Sequence, residues 1–184
     1  MLRYLVLLFA ALSFSAPVQA SSLQQDIDAI GANVIFMRHA LAPGTGDPAR
    51  FDLSDCSTQR NLDQRGRQQA RDLGDYFRNH NVQPTAILSS GWCRCYQTAE
   101  LLELGDYDIH PGLHSFYGGH VDRTQTLAAL QERFDSLDSE ELILMVTHQV
   151  VITAATGVFP ASGEMVLLNT QTGQAQRVHP VPAR

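Results

Sequence analysis

Short apolar runs alternate along this chain with longer segments that carry apolar residues at helical spacing, and this alternation constrains the fold most. Runs with the length and composition of buried strands occupy 33–38, 85–89 and 141–147, and a weaker one occupies 107–110. Strands separated by helices imply right-handed crossovers and a largely parallel sheet. We therefore predict an α/β fold, a three-layer sandwich in which helices cover both faces of a mostly parallel sheet.

The segments between the strands set the expected helices. Helices are predicted at 64–80 with Asp63 as N-cap, at 93–104 ending at Gly105, from 122 or 124 onwards, and at 150–156. Runs at 164–169 and 174–179 predict a terminal hairpin that turns at Thr172–Gly173. Residues 40–58 are rich in Pro and Gly, so they form a long loop, and long loops in compact domains are often functional.

Three predicted strands end in polar residues of related chemistry. Arg38-His39 ends the first strand, the second runs into a segment that contains Arg94, and the apolar strand ends in Thr147-His148. In an open α/β sheet, ligands bind beyond the carboxyl ends of the strands. Arginine offers a planar fork that matches phosphate oxygens, and imidazole is a nucleophile that can hold a phosphoryl group. The sequence therefore predicts a phosphate site in one crevice.

Four motifs then carry a resemblance to a known family. The segment 36–40 resembles an R-H-G signature with Ala40 in place of Gly, and 146–148 resembles the strand that brings a second histidine. The segment 88–102 resembles S-S-x-x-x-R-x-x-Q-T-A-x-x-L, and 60–70 resembles R-x-L-T-x-x-G-x-x-Q-A. From 34 to 157 the chain thus resembles the histidine phosphatase superfamily, and the resemblance implies a phosphoglycerate-mutase-like fold.

The resemblance also implies roles for four residues. His39 would be the nucleophile that becomes phosphohistidine, and Arg38, Arg94 and His148 would bind the phosphoryl oxygens. Preorganised positive charge around the equatorial oxygens suits phosphoryl transfer, and these residues supply it without a metal or another cofactor. His39 needs a neutral attacking nitrogen, so we expect its other nitrogen to be held by a backbone carbonyl. His148 is expected to be protonated, so the two histidines should titrate differently.

The proton donor for the leaving group is not fixed by these motifs. Many relatives place a Glu in the loop after the third strand, but 113–117 has no carboxylate here, and Gln149 follows His148. The general-acid candidates are therefore Glu164, Asp47 and His114. Glu164 is favoured because it opens a strand next to the His148 segment. Thr45, in the loop beyond His39, is a candidate substrate-binding residue.

The first twenty residues have the pattern of a secretory signal peptide. Arg3 precedes a short apolar core, and Val18-Gln19-Ala20 is a small-residue cleavage signal. We expect cleavage after Ala20, a histidine phosphatase domain over 21–184, and a periplasmic or secreted protein without stable membrane insertion. The alternative is an uncleaved N-terminal anchor, although the apolar core is short for a transmembrane span.

The charge of the chain excludes some classes of binding partner, and its cysteines predict a disulfide. All 13 basic residues are arginine against 19 acidic residues, and the net charge is −6. This argues against nucleic acid or an anionic membrane as a partner, so we expect a small phosphorylated substrate.

Cys56 is expected to form a disulfide with Cys93 or Cys95, because residues two apart bridge each other poorly. Zinc binding is disfavoured because the spacing is unlike that of zinc fingers.

These observations predict an exported phosphohydrolase that acts through a covalent phosphohistidine. Two alternatives stay open: a catalytically weak periplasmic phosphate- or anion-binding protein, and a phosphomutase. Small phosphohistidine phosphatases of the superfamily also lack a clear acid, but their substrates are cytosolic, whereas this chain carries an export signal.

Overall fold

One six-stranded sheet forms the centre of the molecule. The computed structural model describes residues 22–138 and 140–180, so the predicted signal peptide at 1–20 lies outside the described residues. The strands, in chain order, are β1 (Val34–Arg38), β2 (Ala86–Ser89), β3 (Asp108–Ile109), β4 (Ile143–Thr147), β5 (Met165–Leu168) and β6 (Ala175–Val178). Their order in the sheet is β3-β2-β4-β1-β5-β6.

Four of the strands are parallel, which confirms the predicted mostly parallel sheet. β1 pairs with β4, and β2 pairs with both β4 and β3, all in parallel. β5 runs antiparallel to β1 and forms the predicted hairpin with β6. In the register of β1 and β4, Arg38 lies opposite Thr147. The following residues, His39 and His148, therefore emerge side by side at one edge of the sheet.

Helices cover both faces of the sheet. They are α1 (Leu23–Ile30), α2 (Gln64–Asn79), α3 (Cys93–Leu102), α4 (Arg123–Asp135) and α5 (Gln149–Thr156). Alternate strand residues point to opposite faces, and the core divides accordingly. Ile35 and Met37 pack with α1, α2 and α3, whereas Val34 and Phe36 pack with α4 and α5. The three-layer α/β sandwich is thus confirmed.

Several element boundaries differ from the sequence prediction. α3 ends at Leu102, and its C-cap is Glu103, which adopts the left-handed conformation with φ 52°, two residues before the expected Gly105. The predicted N-cap Asp63 does cap α2, since its carboxylate accepts a hydrogen bond from the Gly66 N–H. α1 was not predicted; Ser22 begins it with a capping box. Within the described residues, no helix combines the length and apolar character needed to cross a membrane.

Candidate active site

A pocket of about 170 Å³ opens where β1 and β4 end. It is built from the ends of these strands, the start of α5, and three loops. Its lining residues are Arg38, His39, Gly44, Thr45, Gly46, Arg60, Arg94, Ser115, Tyr117, His148, Gln149 and Val150. The structure therefore brings together all four residues assigned to the phosphoryl site, along with Thr45.

His39 is held in one tautomer by its own main chain. Its Nδ1 lies 2.7 Å from the carbonyl oxygen of Ala40, and a carbonyl can only accept, so Nδ1 carries the proton. The acceptor expected from the sequence is thus the Ala40 carbonyl. Burial, with the charge of Arg94, lowers the pKa of His39 well below its usual value. The ring is therefore neutral, and Nε2 has a free lone pair.

Arg94 is fixed by a buried carboxylate. Its Nη1 and Nη2 donate to the two oxygens of Asp47 at 2.7 and 3.1 Å, and both side chains are only 3% exposed. The same carboxylate accepts hydrogen bonds from the Arg60 N–H at 3.0 Å and from Trp92 Nε1 at 3.1 Å. Burial alone would raise the pKa of Asp47, but the hydrogen bonds and charge of Arg94, together with the bonds from Arg60 and Trp92, lower it overall.

The assignment of Asp47 as a general acid therefore needs correction. An ionised carboxylate that accepts four hydrogen bonds has no proton to give and does not line the pocket. Its position instead makes it the anchor of Arg94.

His148 lies between Arg94 and Ser90. Its Nε2 is 2.9 Å from Ser90 Oγ, and its Nδ1 makes a long contact of 3.5 Å with Arg94 Nη2, which can only donate. This assigns the lone pair to Nδ1 and the proton to Nε2. Burial and the charge of Arg94 lower the pKa of His148 well below its usual value. The expectation of a protonated His148 was therefore wrong for this arrangement, because neighbouring cations and desolvation act in the same direction on both histidines.

Arg38, at the end of β1, is less buried than Arg94. Its Nη1 donates to the Pro160 carbonyl at 3.0 Å, and the residue is half-buried. Burial and the charge of Arg94 lower its pKa, but an arginine with a lowered pKa is still cationic at neutral pH.

The other two acid candidates lie outside the pocket lining. The Glu164 carboxylate accepts from the Ala161 N–H at 2.7 Å and lies 2.6 Å from His179 Nδ1. These contacts lower its pKa against the opposing effect of burial, so Glu164 is ionised and engaged elsewhere. His114 packs edge-on against Trp92 at 5.4 Å, and burial lowers its pKa. The sequence argument for Glu164 relied on strand adjacency, which does not determine where its side chain is bound.

Sequence reasoning missed several pocket residues. Among the described residues, none of those that line the pocket is a carboxylate, whereas a third arginine, Arg60, does line it. Arg60 was visible as the first residue of a recognised motif but was not assigned a role. Ser115 was also not assigned a role, and it lines the pocket together with Tyr117, a residue of the same loop that is 51% exposed.

The cysteines pair as one of the two expected combinations. Cys56 and Cys93 form a disulfide, and Cys95 stays a free, buried thiol. Cys95 Sγ lies 3.4 Å from His148 Nε2, and burial raises its pKa to about 12, so it is a neutral packing neighbour of the histidine. In the part of the chain that the structure describes, His, Cys, Asp and Glu form no cluster that could hold a metal.

Comparison with known proteins identifies the family. The model of the histidine phosphatase superfamily (branch 1) matches residues 34–137, which is more than half of the chain. The protein therefore belongs to the histidine phosphatase superfamily. No curated protein matches it significantly.

Solved structures of this fold resemble the chain at low sequence identity. The protein histidine phosphatase SixA complexed with tungstate is 19% identical with a TM-score of 0.55, covering 81% of this chain and 96% of SixA. A phosphoserine phosphatase from Entamoeba histolytica, in complex with 3-phosphoglyceric acid, is 15% identical with a TM-score of 0.52 (79% and 94% covered). A mycobacterial glucosyl-3-phosphoglycerate phosphatase is 16% identical with a TM-score of 0.54 (79% and 96% covered). These likenesses establish the shared fold.

Proposed function

We propose that this protein is an exported phosphohydrolase that transfers a phosphoryl group from a small phosphorylated substrate to His39 and then to water. The observation that carries the proposal is the tautomer of His39. Its Nδ1 proton is donated to the Ala40 carbonyl, so Nε2 presents a lone pair in a pocket lined by Arg38, Arg94 and His148. A neutral imidazole nucleophile beside fixed cations is what nucleophilic phosphoryl transfer requires.

The charge of the pocket supports a phosphate monoester as substrate. Arg38, Arg60 and Arg94 are cationic, Asp47 is the one carboxylate paired with them among the described residues, and both histidines are neutral. The pocket thus has a surplus of positive charge in a protein whose net charge is −6. A phosphomonoester carries a charge of about −1.5 to −2 at neutral pH. Binding it neutralises the surplus, whereas a neutral ligand would leave it uncompensated.

The reaction proceeds in two displacements at phosphorus. In the first, the lone pair of His39 Nε2 forms the N–P bond while the bond to the leaving group breaks, and the leaving group departs with the bonding electron pair. In the second, water attacks phosphorus, the N–P bond breaks, and phosphate and neutral His39 are regenerated. The proton that water releases balances the proton taken up by the leaving group.

The lining favours leaving groups that need little help from an acid. With no carboxylate among the described lining residues, the protic groups at hand are the Ser115 and Tyr117 hydroxyls and solvent. Aryl or acyl phosphates and phosphoramidates depart more readily without a carboxylic acid than alkyl phosphates do. The fold that the chain shares with a protein histidine phosphatase agrees with this preference.

The disulfide supports the export part of the proposal. Cys56 and Cys93 are bonded, and such bonds persist in oxidising compartments and are rare in the cytosol. Together with the signal-like residues 1–20, this favours a periplasmic or secreted location.

A phosphoenzyme trap tests the covalent mechanism. Purified protein is mixed with a ³²P-labelled phosphoramidate or acyl phosphate, quenched, and assayed for phosphoprotein that is labile in acid and stable in base. We expect label on the wild type and none on His39→Ala. Label that persists in His39→Ala, or no label on a wild type that turns over, contradicts the phosphohistidine mechanism.

Ligand binding and product analysis separate the two alternatives. A catalytically weak anion-binding protein would bind tungstate but release no phosphate from any ester in a substrate panel. A phosphomutase would return the label to a second hydroxyl of the substrate rather than release it as inorganic phosphate. We expect inorganic phosphate as the product.

A further inference from the structure

The hydrogen-bonding capacity of Arg94 is almost fully used within the protein. A guanidinium carries five N–H groups. Nη1 donates to Asp47 and to the Arg60 carbonyl at 3.2 Å, while Nη2 donates to Asp47 and contacts His148 Nδ1. Among the described residues only Nε has no partner. Arg94 therefore keeps one uncommitted N–H, which is buried, although the resemblance makes Arg94 a main phosphoryl ligand.

Arg60, in contrast to Arg94, uses only two of its guanidinium N–H groups in hydrogen bonds with the described residues. Its Nε donates to the Gly46 carbonyl at 3.0 Å, and its Nη1 donates to the Ala42 carbonyl. These two bonds leave the second N–H of Nη1 and both N–H groups of Nη2 without a partner in the described part of the chain. No carboxylate there forms an ion pair with the Arg60 guanidinium. Asp47 contacts Arg60 through the backbone N–H and forms its ion pair with Arg94. Arg60 is thus a cation whose free donors lie in a residue that lines the pocket.

The surroundings of Arg60 keep its charge in the site. Burial and the charge of Arg94 lower its pKa to about 10, with Asp47 acting in the opposite direction, so the guanidinium stays protonated at neutral pH. Its charge also contributes to the lowered pKa of His39, after burial and the charge of Arg94. A cation near the nucleophile is well placed to stabilise the charge of a transferring phosphoryl group.

We propose that Arg60 is a further phosphoryl-binding residue, and that its free N–H groups hold the equatorial oxygens which Arg94, committed to Asp47 and His148, has few donors left to bind. The inference rests on the proposed phosphatase function. On this proposal Arg38 and Arg60 bind the phosphoryl oxygens, and Arg94 positions His148.

The side chain of Arg60 can be altered without removing the main-chain contacts at this position. The Arg60 N–H that bonds Asp47 and the carbonyl that accepts from Arg94 belong to the backbone, so Arg60→Ala and Arg60→Lys both retain them. The guanidinium bonds to the 42–46 loop are lost in Arg60→Ala, which is why a second variant is needed. Arg60→Lys keeps the charge and one donor group but not the planar fork.

The experiment measures tungstate inhibition and kcat/KM on an aryl phosphate for wild type, Arg60→Ala and Arg60→Lys. Arg67→Ala is the matched control, because Arg67 bonds Gln97 and does not line the pocket. Loss of one preorganised donor group typically costs about 10²- to 10³-fold in turnover. In Arg60→Ala we expect a loss of this size in kcat/KM and weaker inhibition by tungstate, with partial recovery of kcat/KM when guanidinium ion is added. In Arg60→Lys we expect a smaller loss of kcat/KM. Arg67→Ala should behave as wild type.

The outcomes are distinct from those that test the phosphatase function. Arg60→Ala with wild-type tungstate inhibition and turnover overturns the role of Arg60, even when wild type forms phosphohistidine. A loss in Arg60→Ala that guanidinium does not restore and that Arg60→Lys shares in full also overturns it, because loop disruption then explains the loss. If wild type shows neither turnover nor phosphohistidine, the failure belongs to the proposed function instead.

Discussion

At the residue scale, the site depends on main-chain groups as much as on its four recognised side chains. The Ala40 carbonyl fixes the His39 tautomer, and the Ala40 N–H donates to Thr98 Oγ1 at 3.0 Å. Because both interactions use the backbone, Ala at the position where the family signature has Gly leaves them intact. The main-chain carbonyl of residue 40 therefore fixes the His39 tautomer whichever side chain that residue carries.

Both pocket histidines should stay neutral at a pH where an ordinary histidine is protonated. Burial and neighbouring arginines lower the pKa values of His39 and His148 well below 6.5. As the pH falls through 6.5, exposed histidines gain a proton, while these two gain theirs only at lower pH. Ring ¹⁵N NMR titration, with His39→Ala and His148→Ala to assign the signals, measures this. A midpoint at or above 6.5 for either ring contradicts the prediction.

Asp47 should matter more than Glu164, the reverse of the order expected from the sequence. In Asp47→Asn, Arg94 becomes a buried cation without its counterion, and breaking a buried pair in this way costs about 3–5 kcal/mol of stability. We expect kcat/KM to fall too, because Arg94 no longer holds His148. Glu164→Gln should leave kcat/KM close to wild type, since Glu164 is bound outside the pocket.

Denaturant unfolding and steady-state kinetics on both variants test this, with the exposed loop residue changed in Asp52→Asn as the control. Wild-type stability in Asp47→Asn, or a larger loss of kcat/KM in Glu164→Gln, would show that Glu164 matters more than Asp47, as the sequence suggested.

At the element scale, α2 and α3 hold the loop that follows β1. Gln69 of α2 accepts from the Leu41 N–H at 2.8 Å and donates to the Ser162 carbonyl at 2.9 Å. Gly66, at the start of α2, lies so close to this loop that an added Cβ would be 1.9 Å from the Leu41 carbonyl oxygen. The helix can approach the loop only because position 66 has no side chain.

Gly66→Ala should therefore destabilise the protein although alanine is the better helix former. Helix propensity alone would give Ala an advantage of about 1 kcal/mol. The clash with Leu41 reverses the sign, and overpacking of this kind typically costs about 1–3 kcal/mol. We expect reduced turnover as well, because the displaced loop leads from His39 to the Ala42 carbonyl that holds Arg60.

Thermal unfolding and activity of Gly66→Ala measure both effects. Gln68→Ala, on the exposed side of the same helix, is the control and should be nearly neutral. A Gly66→Ala variant as stable as wild type would show that the helix moves away at little cost.

Strand and helix identity followed from local pattern, whereas side-chain partners did not. The apolar runs ending in Arg38 and Thr147 fixed two central strands, and parallel pairing then placed His39 beside His148. The partner of Arg94 was not predictable, because Asp47 lies 47 residues away in a loop without periodicity. Helix ends show the same limit: Glu103 ends α3 in a conformation that sequence rules assign to Gly.

At the scale of the whole molecule, one covalent link joins the pocket loop to the helix layer. The disulfide ties Cys56, in a short 3-10 turn before Arg60, to Cys93 at the start of α3, which carries Arg94. Its closed segment contains α2 and β2. The disulfide thus links the segment that leads to Arg60 to the helix that carries Arg94.

Removing this bond should lower the stability of the entire fold. Closing a loop of 37 residues restricts the unfolded chain by about 3–4 kcal/mol in the chain-entropy model. We expect Cys56→Ser, or reduction of the wild type, to lower the free energy of unfolding by about that amount. Denaturant titrations with and without reductant measure it. Reductant should have no effect on Cys56→Ser, and Cys95→Ala should keep its sensitivity to reductant because Cys95 is not in the bond.

The same measurement bears on export, because the cytosol would keep Cys56 and Cys93 reduced. Full-length chain produced in a bacterium with an oxidising periplasm should be recovered there, shortened at Ala20 and oxidised. A variant with a charge in the apolar core, Leu8→Arg, should stay in the cytosol, reduced and less stable by the same amount. Mass spectrometry of the two pools reports both the N-terminus and the thiol count. A cytosolic wild type with an intact N-terminus would overturn the export proposal while leaving the stability prediction to stand on the reductant titration alone.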